Sequence, residues 1–203
     1  MRSRSLTFPS RLWLASLLLL GGCASETPRV TEYLDPQTAV TIRALGEPLI
    51  YAHAAPELAA NARDYLSLGV VEINNMGTRK HYLALVSWST INRERVGAAP
   101  APVPDRFEVE VGGRQHVFTP IGHEPRSLGI GGALFRPPSG YAGESWYAVT
   151  PAELRALAAA PPGAIGLDQE SGRVDYEAWR ADSGALAEFV RDIPDAAGAA
   201  ARR

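Results

Sequence analysis

Residues 65–90 read YLSLGVVEINNMGTRKHYLALVSWST, and this stretch decides the fold. In Tyr65–Asn74, Leu66, Leu68 and Val70 alternate with Tyr65, Ser67 and Gly69. Alternation with a period of two is the mark of a β-strand with one face buried. In Arg79–Thr90, Tyr82, Ala84, Val86 and Trp88 share one face and Leu83 and Leu85 the other. A strand apolar on both faces is expected between two layers. Asn74-Asn75-Met76-Gly77 separates the two runs, and Asn and Gly tolerate the positive φ of a tight hairpin loop. The spacing therefore predicts a long central hairpin at the heart of the core.

The flanks extend the β pattern. Thr38–Ala44 (TAVTIRA) alternates and is rich in β-branched residues; Gly46-Glu47-Pro48 breaks it, and Leu49–His53 (LIYAH) reads as the next strand. Ala54–Arg63 is expected to form one short helical turn. Beyond the hairpin, Arg93–Asp105 is a loop with prolines at 100, 102 and 104, which favour extended geometry. Phe107–Val111 and Gln115–Phe118 flank Gly112-Gly113, a second hairpin signal. Pro120–Gly140 is rich in glycine and proline and reads as irregular, with one short strand expected at Ala133–Arg136.

The last third changes character. Ser145–Val149 is a strand. Thr150-Pro151-Ala152-Glu153 is a capping box with proline at the first helical position, and Pro161-Pro162 stops that helix. Ile165–Leu167 and Val174–Trp179 pair around Ser171-Gly172. Asp182 caps a final helix whose Leu186, Phe189 and Val190 share a face. Many short strands and two late helices predict an immunoglobulin-like antiparallel β-sandwich with helical decoration, α+β being the alternative. The cysteine–tryptophan–cysteine signature of immunoglobulin domains is absent.

Residues 1–22 carry Arg2, Arg4 and Arg11 and no acid; Leu12–Leu20 is almost wholly apolar. This is the order of a secretory signal, and nine residues fall well short of the roughly 20 that span a bilayer as a helix. Leu20-Gly21-Gly22-Cys23 resembles the lipobox of bacterial lipoproteins. The resemblance implies cleavage between Gly22 and Cys23 and acylation of Cys23, the only cysteine in the chain. Two or three acyl chains hold a protein stably to a membrane. Ala24 follows the cysteine. In Gram-negative lipoproteins an aspartate there marks inner-membrane retention, so the resemblance implies sorting to the outer membrane with the body facing the periplasm. The organisation that follows is signal peptide 1–22, lipidated terminus and tether 23–37, one β-rich domain 38–193 and a disordered tail 194–203.

Removing residues 1–22 leaves 17 basic residues against 22 acidic ones, a formal charge of −5. A nucleic-acid partner would call for a basic patch, and electrostatic attachment to anionic lipid would call for surplus cations. With Cys23 acylated, no thiol remains for a disulfide, a nucleophile or a metal site. The 19 arginines against the single Lys80 suit a high-GC genome.

Chemistry-bearing residues are few and scattered. A zinc site would draw on three of His53, His81, His116 and His123 with Glu124 or Asp64, but no pair has ligand spacing and there is no His-Glu-x-x-His. Gly143-Glu144-Ser145-Trp146-Tyr147 fails the last position of a nucleophile elbow. Gly129-Ile130-Gly131-Gly132 lacks the lysine and the flanking strand and helix of a phosphate-binding loop. Trp88, Trp146 and Trp179 sit in alternating strands and are expected in the core, with an aromatic binding surface as the alternative. Glu108/Glu110 and Asp105/Glu108 have the spacing of a solvated face.

TEYLDPQTAVTIRALGEPLIYAH, DYLSLGVVEIN and LALVSWSTINRER, between Thr31 and Arg95, are similar to a group of small uncharacterised proteobacterial lipoproteins, a resemblance that implies an envelope location and transfers no activity. The expectation is a lipid-anchored, periplasm-facing binding or assembly module with no cofactor, joined to the membrane through Cys23 and meeting an envelope partner. A metal-assisted envelope hydrolase built on the histidines, or a carrier of lipid or a small ligand, is the alternative.

Overall fold

The central hairpin forms as its pattern predicts. In the computed structural model, which describes residues 28–98, 105–138, 142–169 and 172–194, β4 (Arg63–Asn75) and β5 (Thr78–Ser89) pair antiparallel from Asp64↔Ser89 to Asn75↔Thr78. The connection is two residues, shorter than the four expected. Met76 and Gly77 both take positive φ, +50° and +93°. Asn74 lies within the strand, and its side-chain oxygen accepts from the Gly77 N–H at 2.9 Å.

At 13 residues β4 is long enough to hold two neighbours along one edge. Its first half pairs with β3 (Leu49–Ala54), its second with β2 (Thr41–Leu45). On its other edge β5 continues to β8 (Gly143–Val149). From β2 the sheet ends in β1 (Val30–Leu34). From β3 it runs on through β10 (Gly172–Arg180), β9 (Ala164–Gln169), β6 (Phe107–Val111) and β7 (Arg114–Phe118). Every pairing is antiparallel. The sheet curls until Phe107 of β6 meets Tyr147 of β8 edge-on, ring centroids 4.6 Å apart. The result is a mainly β, sandwich-like fold whose two layers belong to one open sheet.

Both sheet faces of the hairpin are buried, which is why β5 is apolar throughout its middle. The inner face carries Leu66, Leu68, Val70, Leu83, Leu85 and Tyr147, sealed by Leu154 and Leu157 of α1 (Pro151–Ala159) and Leu186 and Phe189 of α2 (Ser183–Arg191). The capping box at Thr150 and Glu153 is fully made, and Asp182 accepts from Gly184 N–H at 2.9 Å. The outer face carries Ile42, Val71, Ile73, Tyr82, Ala84 and Trp146, covered by Ile130 and Phe135 from the irregular segment 119–138.

Three local expectations are corrected. Val30–Leu34, read as tether, is a strand: it lies at a sheet edge and lends only Val30 to the core, so its sequence carries no apolar alternation. Ala54–Arg63 forms turns closed by an Ala55–Ala62 bond rather than a helical turn. Ala133–Arg136 is not a strand; Phe135 packs on the sheet at Gly69 while its backbone stays irregular. Pro120–Gly140 is irregular as expected: its described residues hold a 3-10 turn at Pro125–Leu128 and a single β-bridge from Gly122 to Trp146. Cys23, the signal segment, prolines 100, 102 and 104, Ser171 and residues 195–203 lie outside the described residues.

Candidate functional site

Period-two alternation puts Arg63, Tyr65 and Ser67 of β4 on the outer face, beyond the half that segment 119–138 covers. Tyr65 stacks on Trp88 of β5, its register partner, at 4.2 Å and 9° between planes. The Trp88 indole N–H donates to Ser67 Oγ at 2.9 Å, which fixes the ring's orientation. Trp179 of β10 meets Tyr65 edge-on at 6.3 Å and 80°, and the Arg63 guanidinium lies 4.7 Å from the Trp179 ring centre. A β-bulge between Ala178 and Arg180 sets Trp179 out of register with β3, and bulges re-aim side chains at sheet surfaces. The four residues make a ladder of cation, indole, phenol and indole.

The ladder corrects the expectation that all three tryptophans are core. Trp146 is wholly buried and Trp88 half-buried, but Trp179 is 57% exposed. A signal for this was present in the strand. Arg173, Asp175 and Glu177 occupy alternate positions of β10, and Trp179 continues their outward phase. Tryptophan, tyrosine and arginine dominate binding hot spots because they bury large area while offering polar tips.

The histidines have separate partners. His53 Nδ1 is 3.0 Å from the Asp175 carbonyl and its ring tilts against Tyr176. His81 Nε2 bonds Glu72 Oε2 at 2.9 Å. His116 lies alongside Phe118, and His123 Nδ1 bonds Ser145 Oγ at 2.9 Å. Asp64 pairs with Arg93 at 2.5 Å, and the Glu124 carbonyl starts the 3-10 turn by accepting from Ser127. Among the described residues no group of three His, Cys, Asp or Glu side chains is placed to hold a metal. Ser145 is fully buried inside β8, so its bond to His123 has no route to a substrate.

The glycine loop does bind an anion, but one supplied by the chain. Gly131 N–H donates to Asp35 Oδ2 at 2.6 Å, and Gln37 N–H to Oδ1 at 2.9 Å. Those bonds, that from Gly131 foremost, hold the Asp35 carboxyl below its ordinary value. A Cβ on Gly131 would strike Asp35 and Gln37, so the close approach requires glycine.

Two buried ionic clusters escaped the sequence reading. On the inner face Glu72 receives His81 and, at 3.1 Å, Arg79. Burial pushes the Glu72 carboxyl up, but the His81 bond and the charges of Arg79, His81 and Arg43 together outweigh it and hold the group low. Arg43, register partner of Glu72, donates to the Phe189 carbonyl at 2.8 Å and pairs with Asp192, so it closes the end of α2. On the far layer Glu108, expected on a solvated face, is buried beneath Arg106, Gln115 and Arg173. Glu72 with Arg79 and His81, and Glu108 with Gln115, pair across single hairpins, but Arg43 with Asp192 and Arg173 with Glu108 join elements far apart in the chain, and local spacing shows neither their partners nor their burial.

No family model, curated protein or solved structure matches this chain. The fold and the outer-face ladder therefore define the chain by themselves: a mainly β, sandwich-like protein with an aromatic–cationic ladder in which Tyr65 is buried, Arg63 and Trp88 are half-buried and Trp179 is exposed.

Proposed function

We propose that the chain is an outer-membrane lipoprotein, anchored by acyl chains on Cys23 with its body in the periplasm, and that it serves the envelope as a non-catalytic binding module. The LGGC motif at 20–23 supports the anchor. The observation that carries the binding reading is the ladder of Arg63, Trp179, Tyr65 and Trp88, with Trp179 57% exposed beside an otherwise covered sheet face. An indole left in water forgoes roughly 25 cal/mol for each Å² that a partner would cover.

A photo-crosslinking amino acid placed at 179 in cells tests the surface. The expected result is a defined adduct, absent when the same probe replaces Val117, which is exposed on the edge strand β7, and lost when Cys23→Ser releases or fails to process the protein. Equal labelling from 117 and 179, or an adduct indifferent to Cys23→Ser, refutes the reading.

A further inference from the structure

We propose that the partner of the aromatic ladder is the membrane surface itself: the Arg63–Trp179–Arg180 patch rests in the phospholipid headgroup layer to which Cys23 tethers the chain. This deepens the lipid-anchor reading and rests on it.

The first ground is the length of chain between anchor and domain. Because β1 begins at Val30, the leash is far shorter than a tether reaching residue 37. Four residues lie between Cys23 and Pro28, the first described residue, and the five steps that join the two reach about 18 Å when fully extended. A domain of this size is about 40 Å across by the usual scaling of radius with length. A leash shorter than the body's width keeps the corner it leaves from close to the bilayer.

The second ground is what lies at that corner. Pro28 lines a cleft of about 340 Å³ together with Arg29, Glu47, Pro48, Leu49, Arg180 and others. Arg180 is the chain neighbour of Trp179 and pairs in register with Ile50, one residue from Leu49. The exit of the anchor thus lies beside Arg180 at the start of β3, and the indole of the neighbouring Trp179 reaches from there along the strand toward Tyr65 and Arg63, which pair with Ala52 and Ala54. Arg29 O also accepts from Gly46 N–H at 2.8 Å, which fixes the exit against the start of β3.

The third ground is chemistry. Tryptophan favours the bilayer–water interface, where its ring is half-immersed and its N–H stays hydrated. Guanidinium groups bond phosphates bidentately, and Arg63 and Arg180 stand on either side of Trp179 in the sequence register. Glu47 and Asp182 line the cleft, Glu177 stands two positions before Trp179 on β10, and Asp182 pairs with Arg29 at 3.4 Å. Cations and acids balance there, so the contact depends on indole immersion and phosphate bonds rather than on net charge. The acyl chains supply the affinity and the ladder sets the orientation of the domain.

The test uses the full lipoprotein, purified with its acyl chains and reconstituted in phosphatidylethanolamine–phosphatidylglycerol vesicles with or without lipid brominated near the headgroup. The mature chain has three tryptophans, at 88, 146 and 179. The expected result is quenching of up to one indole's share of the emission. Trp179→Phe should abolish it, and Arg180→Glu should weaken it, while both variants still float with the vesicles. The buried Trp146 reports that each variant is folded. Undiminished emission from protein that floats overturns the orientation and leaves the anchor standing. Protein whose intact mass shows no acyl chains and that does not float overturns both. A Trp179 emission shift with soluble muropeptide, without bromine quenching, assigns the ladder to glycan and overturns the proposal.

Discussion

Replacing Gly69 with alanine should damage the protein through a residue 66 positions away. Gly69 lies on the outer face of β4, between the halves that pair with β3 and β2, and in one row with Ala84 and Trp146. The Phe135 ring rests directly on it, and a Cβ added there would fall among the ring carbons. Phe135 is 7% exposed and holds the covering segment to the sheet. Overpacking of this kind costs about 1–3 kcal/mol, whereas truncating a core phenylalanine to alanine costs about 3–5 kcal/mol. In the double variant the new methyl enters the space the ring has left. Gly69→Ala should then add almost nothing to Phe135→Ala, a coupling of about 1–3 kcal/mol in favour of the pair. Urea unfolding measures it: with a slope of about 2 kcal/mol/M, Gly69→Ala lowers the midpoint by about 0.5–1.5 M. Additive costs, or a single variant within about 0.5 kcal/mol of the parent, would refute the placement of Phe135.

Met76 is fully exposed at the first position of a two-residue turn where φ is +50°, a conformation suited to asparagine or glycine, so Met76→Asn should raise stability by about 0.4–1 kcal/mol, read as a higher urea midpoint. Among the described residues the buried Glu144 Oε1 has no hydrogen-bond partner, and burial, offset only in part by the Trp146 indole, pushes its carboxyl above the ordinary value of 4.5. The sign is the reverse of an ion-paired acid. A raised folded value means the charged form is penalised in the native state, so the penalty is present above that value and relieved as pH falls below 4.5. Glu144→Gln should therefore stabilise the protein at pH 7 and lose that advantage near pH 4. An equal effect at both values, measured by thermal unfolding, would show that charge burial is not the cause.

What could be read locally is what depends on near neighbours in the chain. Alternation in Leu66–Val70 and Tyr82–Trp88 defined the central hairpin, and Gly112-Gly113 the second. The capping box at Thr150 and the Asp182 cap placed both helices, because a cap is made within three residues of itself. The edge strand β1 was hidden because an edge needs little apolar surface. The ladder was hidden because alternation tells which residues share a face, not whether another segment will cover it.

By itself, then, the sequence determined a mainly β chain with two late helices and a terminus that resembles a lipobox, since strand period, turn residues and caps act over a few bonds. Only the tertiary structure decided that Gly131 would cradle Asp35 and that Glu72 would join Arg43 to β5. It also decided that segment 119–138 would bury Trp146 and leave Trp179 in water. Each of those outcomes depends on how one curled sheet brings residues as much as about 115 positions apart onto the same few square ångströms, and burial is a property of that meeting rather than of any residue alone.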